Sequence, residues 1–261
     1  MERIFLVLTI ALIILFGTNL HAQKLTLGAK GGITMPGFTG GSAAYPLFSS
    51  NSTMIGGDFG IYGEYHLSRA FSISLGVEYS SEGGLNKFQV YPIPSDVLPT
   101  GISTYLYSDF NCETKLNYLL LPLLVRDHWK ITDKISAYAG IGPFIGILIH
   151  ATRGFTNSGG IFSDPDKQIP YSSQLLVNSY NGNTPLNSLD LGVKGLIGIS
   201  YQLTKKEAVF IEAGATRGFT KIQAQASDGS SYNLAKVITI GYAYTFKERY
   251  KNRYPGRLGN Y

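Results

Sequence analysis

The chain has little cysteine and little charge. Its only cysteine, Cys112, cannot form an internal disulfide, and charged residues make up just 15% of the sequence. A secreted chain of this length without disulfides must be held together by extensive backbone pairing or by a membrane. So few charges also leave too little polar surface to cover the outside of a soluble barrel that encloses a ligand. The composition therefore disfavours both a disulfide-stapled domain and a soluble, lipocalin-like barrel.

Long apolar runs are scarce as well, and the first one is short. Residues 4–16 are apolar, about 13 residues where a membrane-spanning helix needs about 20. Glu2 and Arg3 precede this run, and Leu20-His21-Ala22 provides a site for cleavage. We therefore predict a secretory signal peptide over residues 1–22, cleaved near Ala22, with a short N-terminal membrane anchor as the alternative.

Glycine and tyrosine are abundant, with 31 and 18 residues, and this composition favours strands and turns over helices. In residues 71–80, FSISLGVEYS, apolar side chains alternate with small or polar ones, which is the period of a strand with one apolar face. The same pattern predicts seven more strands, over residues 25–33, 55–66, 116–129, 135–151, 189–203, 209–219 and 237–246.

The connections between these strands alternate in length. Short polar turns, LSRA, KITDK and TKKEA, alternate with long segments at residues 34–54, 81–115, 152–188 and 220–236. Short turns at one rim and long loops at the other are typical of outer-membrane barrels, whose strands need about 9–11 residues to span. The fold predicted for residues 23–246 is all-β: an eight-stranded antiparallel, up-and-down transmembrane β-barrel in a Gram-negative outer membrane, with short periplasmic turns and long extracellular loops.

Aromatic residues on the apolar face cluster near the short turns, where they predict a girdle at the periplasmic membrane interface. Its members are Tyr65, Phe71, Trp129 and Tyr201, joined by two residues of the last strand. That strand also approximates a signal recognised by the barrel assembly machinery, through Gly241, Tyr244 and Phe246. The basic tail, residues 247–261, is expected in the periplasm.

The segment KLNYLLLPLLVRDHWKITDKISAYAGIGPFIGILIHA resembles the centre of the PorT-like outer-membrane β-barrel family of Bacteroidetes. LGAKGGI, GIYGEYHLSRAFSISLGVEYSSEG and VITIGYAYTF resemble the family's first three strands and its last. The resemblance implies the barrel fold and, through the family's namesake, a role in type IX protein secretion; most relatives have no assigned activity. Family members commonly carry Glu where this chain has Leu120.

Strand alternation places many ionisable residues inside the barrel. They are Lys30, Asp58, Glu64, His66, Glu78, Arg126, His128, His150, Asp190, Lys194 and Glu212. Buried charges must pair or reach water. We expect a structural charge network that fills the lumen, made of Glu64, Arg126, Glu212, Lys30, Glu78 and Lys194, with a proton or ion path as the alternative.

No residue spacing predicts a catalytic site, and no catalytic residues, cofactor or metal ligands are expected. His150, with Asp58, Asp190 and Ser188 as conceivable neighbours, is the candidate for an outer-membrane hydrolase. We expect instead a non-enzymatic structural or partner-binding role in the cell envelope. Expected contacts are outer-membrane lipid, the assembly machinery, and an envelope protein bound through the long loops or the basic tail; nucleic acid is not expected.

Two local expectations concern single residues. Pro122 lacks a backbone donor within strand 116–129, so we predict a bulge or locally broken pairing there. Cys112 falls in the long segment before that strand, where we expect a free or partly covered thiol.

Overall fold

The structure is a computed structural model that describes residues 24–40, 50–68, 70–92, 105–162, 164–166, 168, 185–224 and 230–246. The predicted signal peptide and the basic tail lie outside these residues. Within these ranges, no helix is both long and apolar enough to cross a membrane.

The described residues form one antiparallel sheet. Its strands pair in chain order, and the ring closes where β1 meets β8. This confirms the predicted all-β, antiparallel, up-and-down arrangement. The strands are β1 (Lys24–Gly40), β2 (Gly56–His66), β3 (Phe71–Pro92), β4 (Tyr105–Lys130), β5 (Ile135–Phe162), β6 (Leu189–Gln202), β7 (Glu207–Gly218) and β8 (Ser231–Phe246).

Several strands run further than predicted into the segments expected to be long loops. β3, β4 and β5 have 22, 26 and 28 residues, at least twice the roughly 9–11 needed to span a membrane. The predicted strand ends are wrong because these segments are rich in glycine, serine and asparagine, which favour loops. In the structure these residues continue the ladders, since each strand has a paired neighbour along its extension.

The three short turns share one chemistry. Ser68, Thr132 and Thr204 each follow an aliphatic residue, and each hydroxyl accepts hydrogen bonds from two backbone N–H groups that follow. The preceding residues, Leu67, Ile131 and Leu203, are exposed. The sequence pattern of an aliphatic residue followed by Ser or Thr thus fixes all three turns at the same rim.

The pairing around Pro122 is interrupted as expected. The β3–β4 ladder runs from Leu75↔Leu123 directly to Glu78↔Leu120, without a pair at Pro122 and with no change of register. The missing N–H of proline therefore breaks the pairing locally and does not create a bulge. Register shifts occur elsewhere, including one at Asn117 and Tyr118 in the β4–β5 ladder.

Alternation gives the sheet an apolar outer face and a mixed inner face. On β4, Leu123, Val125 and Trp129 are exposed, whereas Leu120, Leu124 and Arg126 are buried. The outward residues therefore form an apolar outer surface, and the inner face positions the candidate site.

Candidate functional site

A group of paired charges fills the middle of the lumen. Lys30 Nζ lies 2.9 Å from Glu78 Oε1 and 3.1 Å from Glu212 Oε2, and Lys194 pairs with the other Glu78 oxygen. The four side chains are at most 3% exposed. Because each buried charge has an opposite charge beside it, the cost of burial is offset by direct pairing.

Arg126 continues the network toward the short-turn rim. Its Nη2 lies 3.3 Å from Glu212 Oε1 and its Nη1 lies 3.5 Å from Glu64 Oε2. The guanidinium also stands 4.7 Å from the ring centroid of Tyr62 and 5.4 Å from that of Tyr138, whose hydroxyl donates to Glu212. Two carboxylates and two aromatic faces thus hold Arg126 in one position.

Glycines on neighbouring strands make room for these long side chains. Lys30 pairs with Gly60 and Gly241, Arg126 with Gly140, and Glu212 with Gly198. A Cβ on Gly60 would lie 2.7 Å from Glu78 Cγ, and one on Gly140 would lie 3.1 Å from Arg126 Cγ. The high glycine content therefore serves close packing in the lumen as well as turns.

All six residues predicted for the charge network, Glu64, Arg126, Glu212, Lys30, Glu78 and Lys194, are buried and connected by these contacts. Tyr138 and Ser72 also belong to it, although alternation alone did not single them out. Uncharged residues carry no sequence signal for such a role, so only the three-dimensional contacts assign them.

A cavity of about 620 Å³ opens beside the short turns. It is lined by Arg126 and by three potential metal ligands, Glu64, His66 and His128, whose ligand atoms all lie within 4.8 Å of one another. His128 Nε2 is 2.7 Å from Glu64 Oε1, and His66 Nε2 is 3.9 Å from the same oxygen. We call this cavity the vestibule; no spacing of residues along the chain identifies its ligands.

Beside the vestibule, a buried serine lies close to a histidine. Ser72 Oγ lies 3.0 Å from His128 Nε2 and donates to Glu64 Oε1 over 2.6 Å. Glu64 Oε1 contacts the same histidine nitrogen, so the carboxylate does not orient the opposite side of the ring. A serine, histidine and acid triad needs the base held through its second nitrogen, and this geometry differs from it.

Three acids lie toward the long-loop rim. Asp58, Glu82 and Asp190 are at most 3% exposed; Asn233 donates to Asp190 over 2.9 Å, and Thr216 donates to Glu82 over 3.4 Å. Glu82 was missed because the predicted strand stopped at residue 80. Continuing the alternation by two residues would have placed it inside.

An apolar layer crosses the lumen beyond the charge network. Leu116, Tyr118, Leu120 and Phe144 are at most 2% exposed and pack together. Phe38 and Ile222 belong to the same cluster. Side chains from several strands thus meet in the interior, as expected for a narrow barrel.

Two predictions about single residues are wrong. His150 was placed inside, but it is exposed and pairs with Asn117, because the register shift at Asn117 and Tyr118 adds a residue to β5 and reverses its alternation. Cys112 is a free thiol, as expected, but its predicted loop position is wrong: it lies within β4 and is 0% exposed, since the strand begins at Tyr105.

The predicted interface aromatics lie near the short-turn rim. Phe71, Trp129 and Tyr201 are 51%, 49% and 43% exposed, and Tyr65 is partly exposed. In the last strand, Gly241 pairs with Lys30, and the rings of Tyr244 and Phe246 are 4.9 Å apart. Membrane contact and recognition by the assembly machinery stay predictions.

The sequence matches a family described as "Outer membrane protein beta-barrel domain" over residues 21–224. No curated protein matches it. Similar solved structures include Neisserial surface protein A, at 11% identity and a TM-score of 0.42, covering 85% of this chain and 97% of that chain. OprG from Pseudomonas aeruginosa shows 11% identity and a TM-score of 0.45, covering 87% and 97%. Outer Membrane Protein W from E. coli shows 16% identity and a TM-score of 0.37, covering 87% and 100%.

Proposed function

The chain belongs to the outer membrane protein beta-barrel domain family, and from this premise we propose that it is a closed, non-enzymatic partner-binding barrel of the outer membrane. In this proposal the eight strands span the bilayer, the short turns lie in the periplasm, and the extensions of β3, β4 and β5 stand outside the cell.

The observation that carries the proposal is the length of the paired extensions. β4 and β5 continue to pair from Leu116↔Ala151 outward to Tyr107↔Phe162. The inner face of this extension is buried at Leu106, Phe110 and Cys112. A spanning strand needs about 9–11 residues, so the extension is not required for insertion. A packed, paired surface of this kind suits the binding of another protein.

The contents of the lumen favour a closed barrel over an open pore. The charge network is paired throughout, and the layer around Leu120 and Phe144 places apolar side chains across the path. A lumen filled by side chains in this way leaves little room for a continuous column of water. We therefore expect no steady conductance from the purified protein in planar bilayers.

A non-enzymatic role is supported by the positions of the candidate catalytic groups. His150, the basis of the hydrolase alternative, lies on the outer face, away from Asp58 and Asp190 in the lumen. Ser72 is fully buried, and its histidine neighbour lacks the arrangement of a triad. Neither constellation presents an activated nucleophile to a substrate.

The finer assignment, a PorT-like accessory component of type IX protein secretion in Bacteroidetes, rests on the sequence resemblance described above. It would make the partner a component of the secretion machinery. The basic tail offers a second surface, on the periplasmic side.

Capture of partners from detergent-solubilised envelope tests the proposal. The full chain, a variant lacking residues 247–261, and a variant with Tyr105→Ser and Lys115→Ser on the exposed face of β4 are compared at equal amounts of folded barrel. Loss of a captured protein in the β4 variant alone supports binding through the extension, and loss in the truncated variant alone moves the site to the tail. Identical background capture by all three would contradict partner binding.

A further inference from the structure

The vestibule has the composition of a metal site. Glu64, His66 and His128 supply one carboxylate oxygen and two imidazole nitrogens, a set that suits zinc and other divalent transition ions. Calcium and magnesium prefer oxygen ligands alone, so two nitrogens out of three disfavour them. The residues come from β2 and β4, which are not neighbours in the sheet.

The spacing of the three ligand atoms also fits. Zinc bonds of about 2.0–2.2 Å in a tetrahedral arrangement place ligand atoms about 3.3–3.6 Å apart. The two distances to Glu64 Oε1, 2.7 Å from His128 Nε2 and 3.9 Å from His66 Nε2, lie on either side of this range. Ligation therefore requires His128 to move slightly away from Glu64 Oε1 and His66 slightly toward it, while all three ligand atoms already lie within 4.8 Å of one another.

Neighbouring groups would hold the carboxylate ligand in place. Glu64 directs Oε1 to the histidines, while its Oε2 lies 3.5 Å from Arg126 Nη1. Arg126 is itself shared with Glu212, so its positive charge is not directed only at the ligand set. Outer partners of this kind orient metal ligands and tune their affinity.

The histidines are also accessible. The His66 and His128 side chains are 25% and 20% exposed, and both line the cavity that opens at the short-turn rim. An ion could enter from that side without crossing the apolar layer, and water could complete its coordination, as at sites with three protein ligands.

We propose that the vestibule binds one divalent transition-metal ion through Glu64, His66 and His128. The inference goes beyond partner binding by the outer extension and does not depend on it. Because the site lies at the opposite end of the lumen, each proposal can fail while the other stands.

Titration of the full mature chain in detergent, prepared without a histidine tag, tests the proposal with Zn²⁺ as the probe. We expect saturable binding of one ion per chain, weakened at least about tenfold by His66→Ala or His128→Ala. His150→Ala is the matched control, since His150 is exposed on the outer face, and it should bind like the unsubstituted chain. Heat-modifiable gel migration confirms that each variant is folded.

A second readout separates ligation from a structural role. Co²⁺ bound by the unsubstituted chain should show a visible spectrum that His66→Ala alters at saturation and His150→Ala leaves unchanged. Absence of saturable binding to the folded chain would overturn the proposal. Equal affinities and spectra in the His66→Ala, His128→Ala and His150→Ala variants would overturn it as well.

Discussion

Arg126 Nη2 lies 3.3 Å from Glu212 Oε1, so a side chain of β4 meets one of β7 across the lumen. Lys30 on β1 likewise joins Glu78 on β3 and Glu212 on β7. None of these strand pairs are neighbours in the sheet. The charges therefore connect strands that are not joined by backbone pairing, and three cations face three carboxylates in the set.

Removing the central cation should destabilise the barrel strongly. Arg126→Met would leave Glu64 and Glu212 buried with less compensation, and breaking a buried pair in this way costs about 3–5 kcal/mol. Unfolding by urea in detergent micelles, followed by gel migration, measures the change. Lys115→Ala, which breaks an exposed pair with Glu113, is the control and should cost less than about 1 kcal/mol. Equal effects would argue against a structural role for the network.

Glycines beneath inward side chains should not tolerate alanine. A Cβ on Gly198 would collide with the Tyr138 ring, whereas nothing lies within 4 Å of one on Gly195 of the same strand. Gly198→Ala should lower the free energy of unfolding by about 1–3 kcal/mol, the usual cost of overpacking. Gly195→Ala should be neutral or slightly stabilising. A reversed order of the two variants would show that the inner face is assigned wrongly.

Because of the apolar layer, alanine substitutions at two adjacent positions of β5 should differ in their cost to stability. Phe144 is 2% exposed within the layer, and Ile145 beside it is 47% exposed on the outer face. Phe144→Ala should cost about 3–5 kcal/mol because it leaves a cavity, while Ile145→Ala should cost clearly less because lipid or detergent can fill the space. Urea unfolding of the two variants measures the difference in the free energy of unfolding. Similar losses of stability would contradict the assignment of Phe144 to the inner face and Ile145 to the outer face.

The buried thiol of Cys112 should react slowly. Because Cys112 is 0% exposed, a maleimide reagent should label the folded chain only through local opening and the urea-unfolded chain rapidly. The matched control is Lys115→Cys in a Cys112→Ser background, since the Lys115 side chain is 50% exposed on the same strand. Rapid labelling of native Cys112, at the rate of the control, would place it outside the packed interior.

Much of the fold could be predicted from the sequence because buried and exposed side chains alternate along a strand with a period of two residues. That period predicts Arg126 inside and Trp129 outside, and the turn residues mark where the chain reverses. Pro122 signalled the broken pairing, since a missing N–H is a property of the residue itself. Each of these inferences needs only local chemistry.

Features that depend on the pairing of two strands follow only from the three-dimensional structure. The register of one strand against the next cannot be read from the sequence. The sequence therefore did not predict the register shift that places His150 on the outer face, or the pairing that extends β4 to include Cys112. It also could not show that His66 and His128 meet at Glu64. The alternation of residues along one strand predicts which face of the sheet each side chain occupies. Which residues lie at the same depth in the lumen depends on how the strands pair in the closed ring.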